Sequence, residues 1–331
     1  MFRPTMQKAV FSVALRTTLA VAFIAAPTLA VAQQKITFQT NWFAQAEHGG
    51  LYQALAEGTY KKHGLDVTVK MGGPQVNAIQ IIAAGQADFI MGKDFQTLSA
   101  IENGVPLTTV AAVFQVEPQG MVTHPDVNSL ADLKGKTILM ATSGRTSWWP
   151  WLKIKHGLKD DQTRPYTFSM APFFADKNVA QQGYPGSEPF IAEKAGQKTK
   201  FFLFANEGYP PYGNTIVTTR QMVKDKPELV QRFVKATLEG WKSYLDNPAA
   251  GNALIKQDNP KMEDELIAYS VKTMKDMKFL DGGDAAKAGA GVMTDTRWKQ
   301  TYDLMVTSGQ LKPNPNWQQA YTLQFLKDLK K

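Results

Sequence analysis

Apolar and polar residues alternate along residues 35–40, where Ile36 and Phe38 occupy every second position, and this predicts a β-strand. From about residue 48 to residue 63 the period changes. Leu51, Tyr52, Leu55, Ala56 and Tyr60 recur at helical spacing, and Gly64 follows where a left-handed cap closes a helix. Residues 65–70 alternate again as a strand, Gly72-Gly73-Pro74 turns the chain, and Val76, Ile79, Ile82 and Ala83 give the next helix its apolar face. A short apolar strand at 89–91 is closed by Gly92, a helix covers 95–101 and ends near Gly104, and 107–114 is a continuous apolar strand. Strand–helix–strand alternation of this kind predicts a parallel sheet covered on both faces, with right-handed crossovers.

The polar stretch 115–125 leads into a new extended run at 120–123, which reads as a first passage between two lobes. Residues 129–138 predict a short helix, a glycine turn and a strand. Residues 142–147 then open a helix carrying Trp148, Trp149 and Trp151, with Pro150 in its opening turns, where a missing N–H costs least. A further helix is predicted over 176–182 and a strand over 201–204. Tyr209-Pro210-Pro211-Tyr212 forms a stiff connector, and the strand 215–219 returns to the first lobe. The remainder is mainly helical: Pro227 starts a long amphipathic helix through Leu229, Phe233, Leu238 and Trp241, helices follow at about 263–277 and 295–307, and the tail after Pro315 packs back as a short helix. The expected fold class is α/β with two lobes, each a mixed, mainly parallel sheet flanked by helices, and a ligand cleft between them. Residues 33–120 and 214–331 make the first lobe and 121–213 the second.

The first 32 residues stand apart. Arg3, Lys8 and Arg16 precede an apolar run from Leu19 to Ala26, and Ala30-Val31-Ala32 supplies small residues at a cleavage position. This is the pattern of a secretory signal peptide, cleaved near Ala32, with an apolar run too short to span a bilayer. The expected location is the periplasm. Cysteine is absent, which excludes thiolate chemistry, cysteine metal sites and anchoring through an N-terminal cysteine. Removing the signal's three cations takes the formal net charge from +8 to +5, and the cations are scattered, so no nucleic-acid partner is expected. The chain is expected to work as a monomer.

His48, His63, His124 and His156 show no metal-ligand spacing, and Gly-x-Ser-x-Gly, Gly-x-Gly-x-x-Gly and Walker-type patterns do not occur. No cofactor, metal or catalytic residue is assigned, and the expectation is that the protein is not an enzyme. Aromatic residues are the better clue. Trp42, Trp148, Trp149, Tyr209 and Tyr212 fall in loops or at helix starts, where rings can sandwich a flat ligand. The loop 40–48 leaves a strand end and enters a helix, an address where open α/β sheets bind ligands. Trp42 serves stacking or the core; His48 serves the ligand or the helix start. Trp148 and Trp149 point about 100° apart, so at most one reaches the cleft. Ser143, Arg145 and Thr146 suit an anion or a polar ligand edge, Arg145 also suiting an inter-lobe salt bridge. Glu188 is an acceptor for ligand N–H groups or a helix-start charge. Asp94 and Lys93 follow a strand end and pair with other charges or meet ligand, and Tyr212 serves ligand or hinge.

The run Asn41-Trp42-Phe43 through His48-Gly49-Gly50-Leu51-Tyr52, with Gly64-Leu65-Asp66-Val67 and Gly85-Gln86-Ala87-Asp88-Phe89, resembles the periplasmic substrate-binding proteins related to thiamine-pyrimidine synthase, most of all the formylaminopyrimidine-binding branch. The resemblance implies a hinge-closing binding protein of the type II periplasmic fold that delivers ligand to an ABC permease in the inner membrane. It carries pocket-lining roles onto Trp42 and His48, with Asn41 beside them, and implies a planar heterocycle such as a thiamine-pyrimidine precursor. The family's usual Pro-Asn is here Ala44-Gln45. Three alternatives remain: a binder of sulfonate- or nitrate-type anions, with Arg145 and helix N-termini as principal contacts; a pyrimidine-forming enzyme, whose cysteine-rich motif this chain lacks; and the exported sensor half of a signalling receptor.

Overall fold

Alternation sets the first strand of the computed structural model, which describes residues 33–327 except Gln75, together with residues 1, 2, 4 and 5; nearly all of the segment read as an export signal lies outside the described residues. Strand β1, Gln34–Gln39, buries Ile36 and Phe38 and pairs in parallel with β2, Leu65–Lys70, on one side and β3, Phe89–Gly92, on the other. Strand β4, Leu107–Phe114, is buried at every position, which is why it reads as an unbroken apolar run: both faces of the sheet are covered.

Residues 115–119 carry the chain into a second sheet of β5, Gly120–Thr123, β6, Thr137–Met140, β7, Thr163–Pro165, β8, Val179–Gly183, and β9, Lys200–Leu203, ordered β7-β6-β8-β5-β9. Residues 204–212 bring it back, and β10, Gly213–Thr219, inserts between β3 and β4 to complete the order β2-β1-β3-β10-β4. In each sheet one strand opposes the rest: β5 is antiparallel to β8 and β9, and β10 to β3 and β4. These are the two strands that arrive from the other sheet. A chain leaving one sheet at a carboxyl edge enters the next from the side of the gap between them, so it must run backwards there. Both sheets are thus mixed and mainly parallel, as expected for each lobe.

The long helix Pro227–Asp246, about 30 Å by its length, buries Leu229, Val230, Phe233, Val234, Trp241 and Tyr244 against the first sheet. The Phe233 ring stacks on Phe89 at 4.1 Å, on Tyr60 at 5.6 Å and on Phe38 at 5.8 Å. Against the same helix lies Gly49–Ala56. A Cβ on Gly49 would fall 2.1 Å from the Tyr244 ring, and one on Gly50 2.2 Å from Trp241. The glycines after His48 therefore admit two aromatic rings. The helix expected to run to residue 63 breaks at Gly58, in the left-handed region, and resumes as Thr59–Lys62.

The helix predicted over 176–182 is not formed. Residues 179–183 are instead the central strand β8, buried throughout, with Gln182 accepting the Ala141 N–H at 2.7 Å. Its polar residues face inward, so neither period announced it. The tail adopts two short turns, Trp317–Ala320 and Gln324–Leu326, and Trp317 stacks on Tyr302 at 4.9 Å. Among the described residues no helix is long and apolar enough to cross a membrane.

Candidate functional site

A cavity of about 1120 Å³ lies where β1, β3, β6 and β8 end, lined by residues of both sheets. The loop after β1 is pinned first. The Thr40 hydroxyl donates to the Trp42 carbonyl at 2.8 Å and accepts the Gly72 N–H at 2.8 Å. The half-buried Trp42 ring then meets Phe43 at 5.9 Å and, edge-on, Phe168 at 6.2 Å. Phe168 comes from the loop after β7 and holds a left-handed backbone, φ +61°.

His48 is buried in the same wall, with Nε2 3.1 Å from Asn41 Oδ1. A carboxamide oxygen only accepts, so Nε2 carries the proton and Nδ1 is a bare acceptor, one with no partner among the described residues. Burial, helped by the Lys93 charge, drives the His48 pKa down to about 3, so the ring is neutral. Beside it the buried Glu47 carboxyl is pushed up to about 7 by burial, with the charge of Glu188 adding to the effect. The Asn214 amide donates to the Glu47 carbonyl at 2.9 Å and fixes this turn.

Lys93 crosses the floor. Its Nζ donates to Glu117 at 2.6 and 2.8 Å and to the Tyr184 hydroxyl at 3.2 Å. Burial opposes its charge, but the Glu117 carboxylate and Tyr184 hold it above the usual lysine range. On the far wall Glu188 accepts from the Tyr166 hydroxyl at 2.6 Å, the Tyr184 N–H at 2.7 Å and the Ser187 hydroxyl; burial raises its pKa and these bonds pull it back. Arg145 donates to the Thr163 hydroxyl at 2.7 Å.

Asn41, Trp42, His48, Ser143, Arg145, Thr146, Trp148 and Glu188 all line this cavity. Trp149 turns away, its indole N–H donating to Asp160 at 2.7 Å, so Trp148 is the member of the pair at the gap. Asp94 and Tyr212 do not line it. Asp94 is buried and accepts the Tyr212 N–H at 2.8 Å, while the Tyr212 hydroxyl donates to Asp284 at 2.7 Å. The Arg297 guanidinium lies 4.1 Å over the Tyr212 ring and donates to the Pro210 carbonyl at 2.7 Å. Both residues clamp the second crossing between the sheets, and that is why their side chains point away from the gap. Sequence reasoning passed over Glu47, Glu117, Tyr166, Phe168 and Tyr184 as site residues. Glu47 sat in the loop already read as a ligand wall, and Glu117 in the stretch read as a passage between lobes. Among the described residues no group of three or more His, Asp or Glu could hold a metal.

The riboflavin-binding protein RibY of Chloroflexus aurantiacus is 25% identical over 319 residues, covering 91% of this chain and 90% of its own. The formylaminopyrimidine-binding protein of Halalkalibacterium halodurans is 22% identical over 290 residues, covering 82% and 86%. A 4-amino-5-hydroxymethyl-2-methylpyrimidine phosphate synthase of Aspergillus parasiticus is 33% identical, but over 107 residues and 31% of each chain. The periplasmic aliphatic sulphonate binding protein SsuA of Escherichia coli superposes with a TM-score of 0.64 at 14% identity, covering 87% and 91%. That likeness shows a shared two-lobe fold. The model of the NMT1/THI5-like family matches residues 45–251, more than half of the sequence, and the chain belongs to that family.

Proposed function

We propose that the protein is the periplasmic solute-binding component of an ABC importer, and that it captures a small planar nitrogen heterocycle of the thiamine-pyrimidine type. The observation that carries this reading is the aromatic wall on one side of the cavity, where Trp42 and Phe168 meet edge-on, with His48 and Glu188 lining the same space. A flat ring laid against this wall gains stacking, and its polar edge meets the hydrogen-bonding groups of the lining. Asn41 orients His48, Trp148 and Ser143–Thr146 close the second side, and Asp94 with Tyr212 holds the crossing about which the lobes move. We assign residues 33–120 and 214–331 to one lobe and 121–213 to the other.

Ligand capture would favour the closed arrangement, which an inner-membrane permease then recognises. The two long-matching relatives named above are binding proteins, which favours binding over catalysis. An anion as ligand is the weaker reading, because the buried carboxyl groups of Glu47 and Glu188 share the lining with an Arg145 already bonded to Thr163. Native mass spectrometry of protein purified from the periplasm, without denaturation, tests the proposal. The expected result is an added mass that dissociates as an ultraviolet-absorbing heterocycle. A co-purified sulfonate, or failure to bind any of a panel of pyrimidines, contradicts it.

A further inference from the structure

The helix Glu188–Lys194 follows β8 of the second sheet and the helix Asp264–Asp276 comes from the chain after β10 of the first, yet the two lie against each other. Neither belongs to the two chain crossings, residues 115–119 and 204–212, so nothing covalent keeps them together. At the inner end the buried Ser270 hydroxyl donates to the Gly186 carbonyl at 2.5 Å and, less closely, to that of Leu266 at 2.9 Å. A Cβ on Gly186 would lie 3.2 Å from the Ser270 Cα and 2.9 Å from Glu47 Oε1, so this approach needs a glycine. In the middle the Phe190 ring meets Tyr269 at 5.0 Å. Phe190 packs on the core of the first sheet although its own helix is anchored to the second. At the outer end Lys194 pairs with Glu263 at 3.2 Å and Glu265 at 2.8 Å. Those three charges are exposed and contribute little; the buried hydrogen bond and the two rings hold the contact. Tyr184, Ser187 and Glu188, at the start of the same helix, line the cavity, so a movement that parts this seam also withdraws that wall.

We propose that the seam is a latch: it holds the two walls of the cavity together by contacts that no ligand makes, and residues outside the cavity thereby set how tightly a ligand is kept. A ligand that binds only the closed arrangement has its affinity scaled by the fraction of molecules that are closed. Every contact in the seam then contributes to binding without touching the ligand. The proposal rests on the lobe assignment above and on no particular ligand.

The chain has no cysteine, so spin labels on Lys198→Cys and Lys261→Cys report the seam alone. Both residues are exposed and flank it, one just beyond Lys194 and the other just before Glu263. Pulsed electron paramagnetic resonance measures their separation in ligand-free protein, with and without Gly186→Ala. Gly186 does not hold a left-handed backbone, so the alanine crowds the seam and leaves the turn unstrained. The ratio of long to short distances should rise about tenfold, and calorimetric affinity for 4-amino-2-methylpyrimidine should fall by up to the same factor. If circular dichroism shows that this variant fails to fold, Phe190→Ala combined with Tyr269→Ala should give the same shift. An unchanged distance distribution, or a longer one with undiminished affinity, overturns the latch. If the protein with Gly186 intact binds no pyrimidine, the heterocycle reading falls, while the distances still decide the latch.

Discussion

Trp42 and Phe168 meet edge to face, 6.2 Å between ring centroids and 77° between planes, although one follows the first strand of one sheet and the other follows β7 of the second. Phe43 stands 6.3 Å and Tyr166 6.4 Å from the same Phe168 ring. This aromatic group closes one side of the cavity, and it exists only because two separate sheets approach each other.

Phe168 pays for its position with a left-handed backbone, a conformation that costs a side-chain-bearing residue about 1 kcal/mol. Phe168→Gly removes both the strain and the ring. Affinity for a pyrimidine should fall about tenfold, while the ligand-free melting temperature stays near that of the wild type. An unchanged affinity in calorimetry would remove Phe168 from the site.

Gly50→Ala places a methyl group where the Trp241 ring already lies, 2.2 Å away. Overpacking of this kind should lower unfolding stability by about 1–3 kcal/mol in a denaturant titration. A change below about 0.5 kcal/mol would mean that the two helices separate freely, against the packing described.

Lys93 and Glu117 form a nearly closed-off pair, with 12% and 3% of their side chains exposed. Lys93→Met alone leaves a buried carboxylate without its cation and should cost about 3–5 kcal/mol. Adding Glu117→Leu should restore much of that loss. Additive losses in the double-mutant cycle would show that the two do not interact.

His48 stays neutral in the folded protein down to about pH 3, whereas in the unfolded chain it protonates near 6.5. Between those values the unfolded state holds more protons, so stability rises with pH through the window and is flat above it. Relative to His48→Gln, the wild type should gain up to about 1.4 kcal/mol per pH unit between pH 3 and 6.5. A difference that does not vary with pH would place His48 in water.

Much of the fold was legible because its strands carry their own signal. β1 alternates, β4 is apolar throughout, and the return strand after the Tyr209–Tyr212 connector appears where the prolines end. β8 was not legible, since its two glutamines are buried by neighbours β5 and β6 and not by any local period. The site divides the same way. Trp42, His48 and Glu188 lie at strand or helix ends that the sequence marks. Phe168 and Glu117 enter through tertiary approach, and Asp94 leaves the cavity because a backbone N–H at Tyr212, 118 positions away, claims its carboxylate. Distance along the chain, and not chemistry, hid these.

The central claim is that a flat ring binds against Trp42 in the gap between the two sheets, and calorimetry on Trp42→Ala with 4-amino-2-methylpyrimidine tests it most directly. The account predicts a loss of affinity of at least about tenfold, with the ligand-free melting temperature nearly unchanged, as suits a half-buried ring. Wild-type affinity together with a large fall in melting temperature would make Trp42 a packing residue and contradict it.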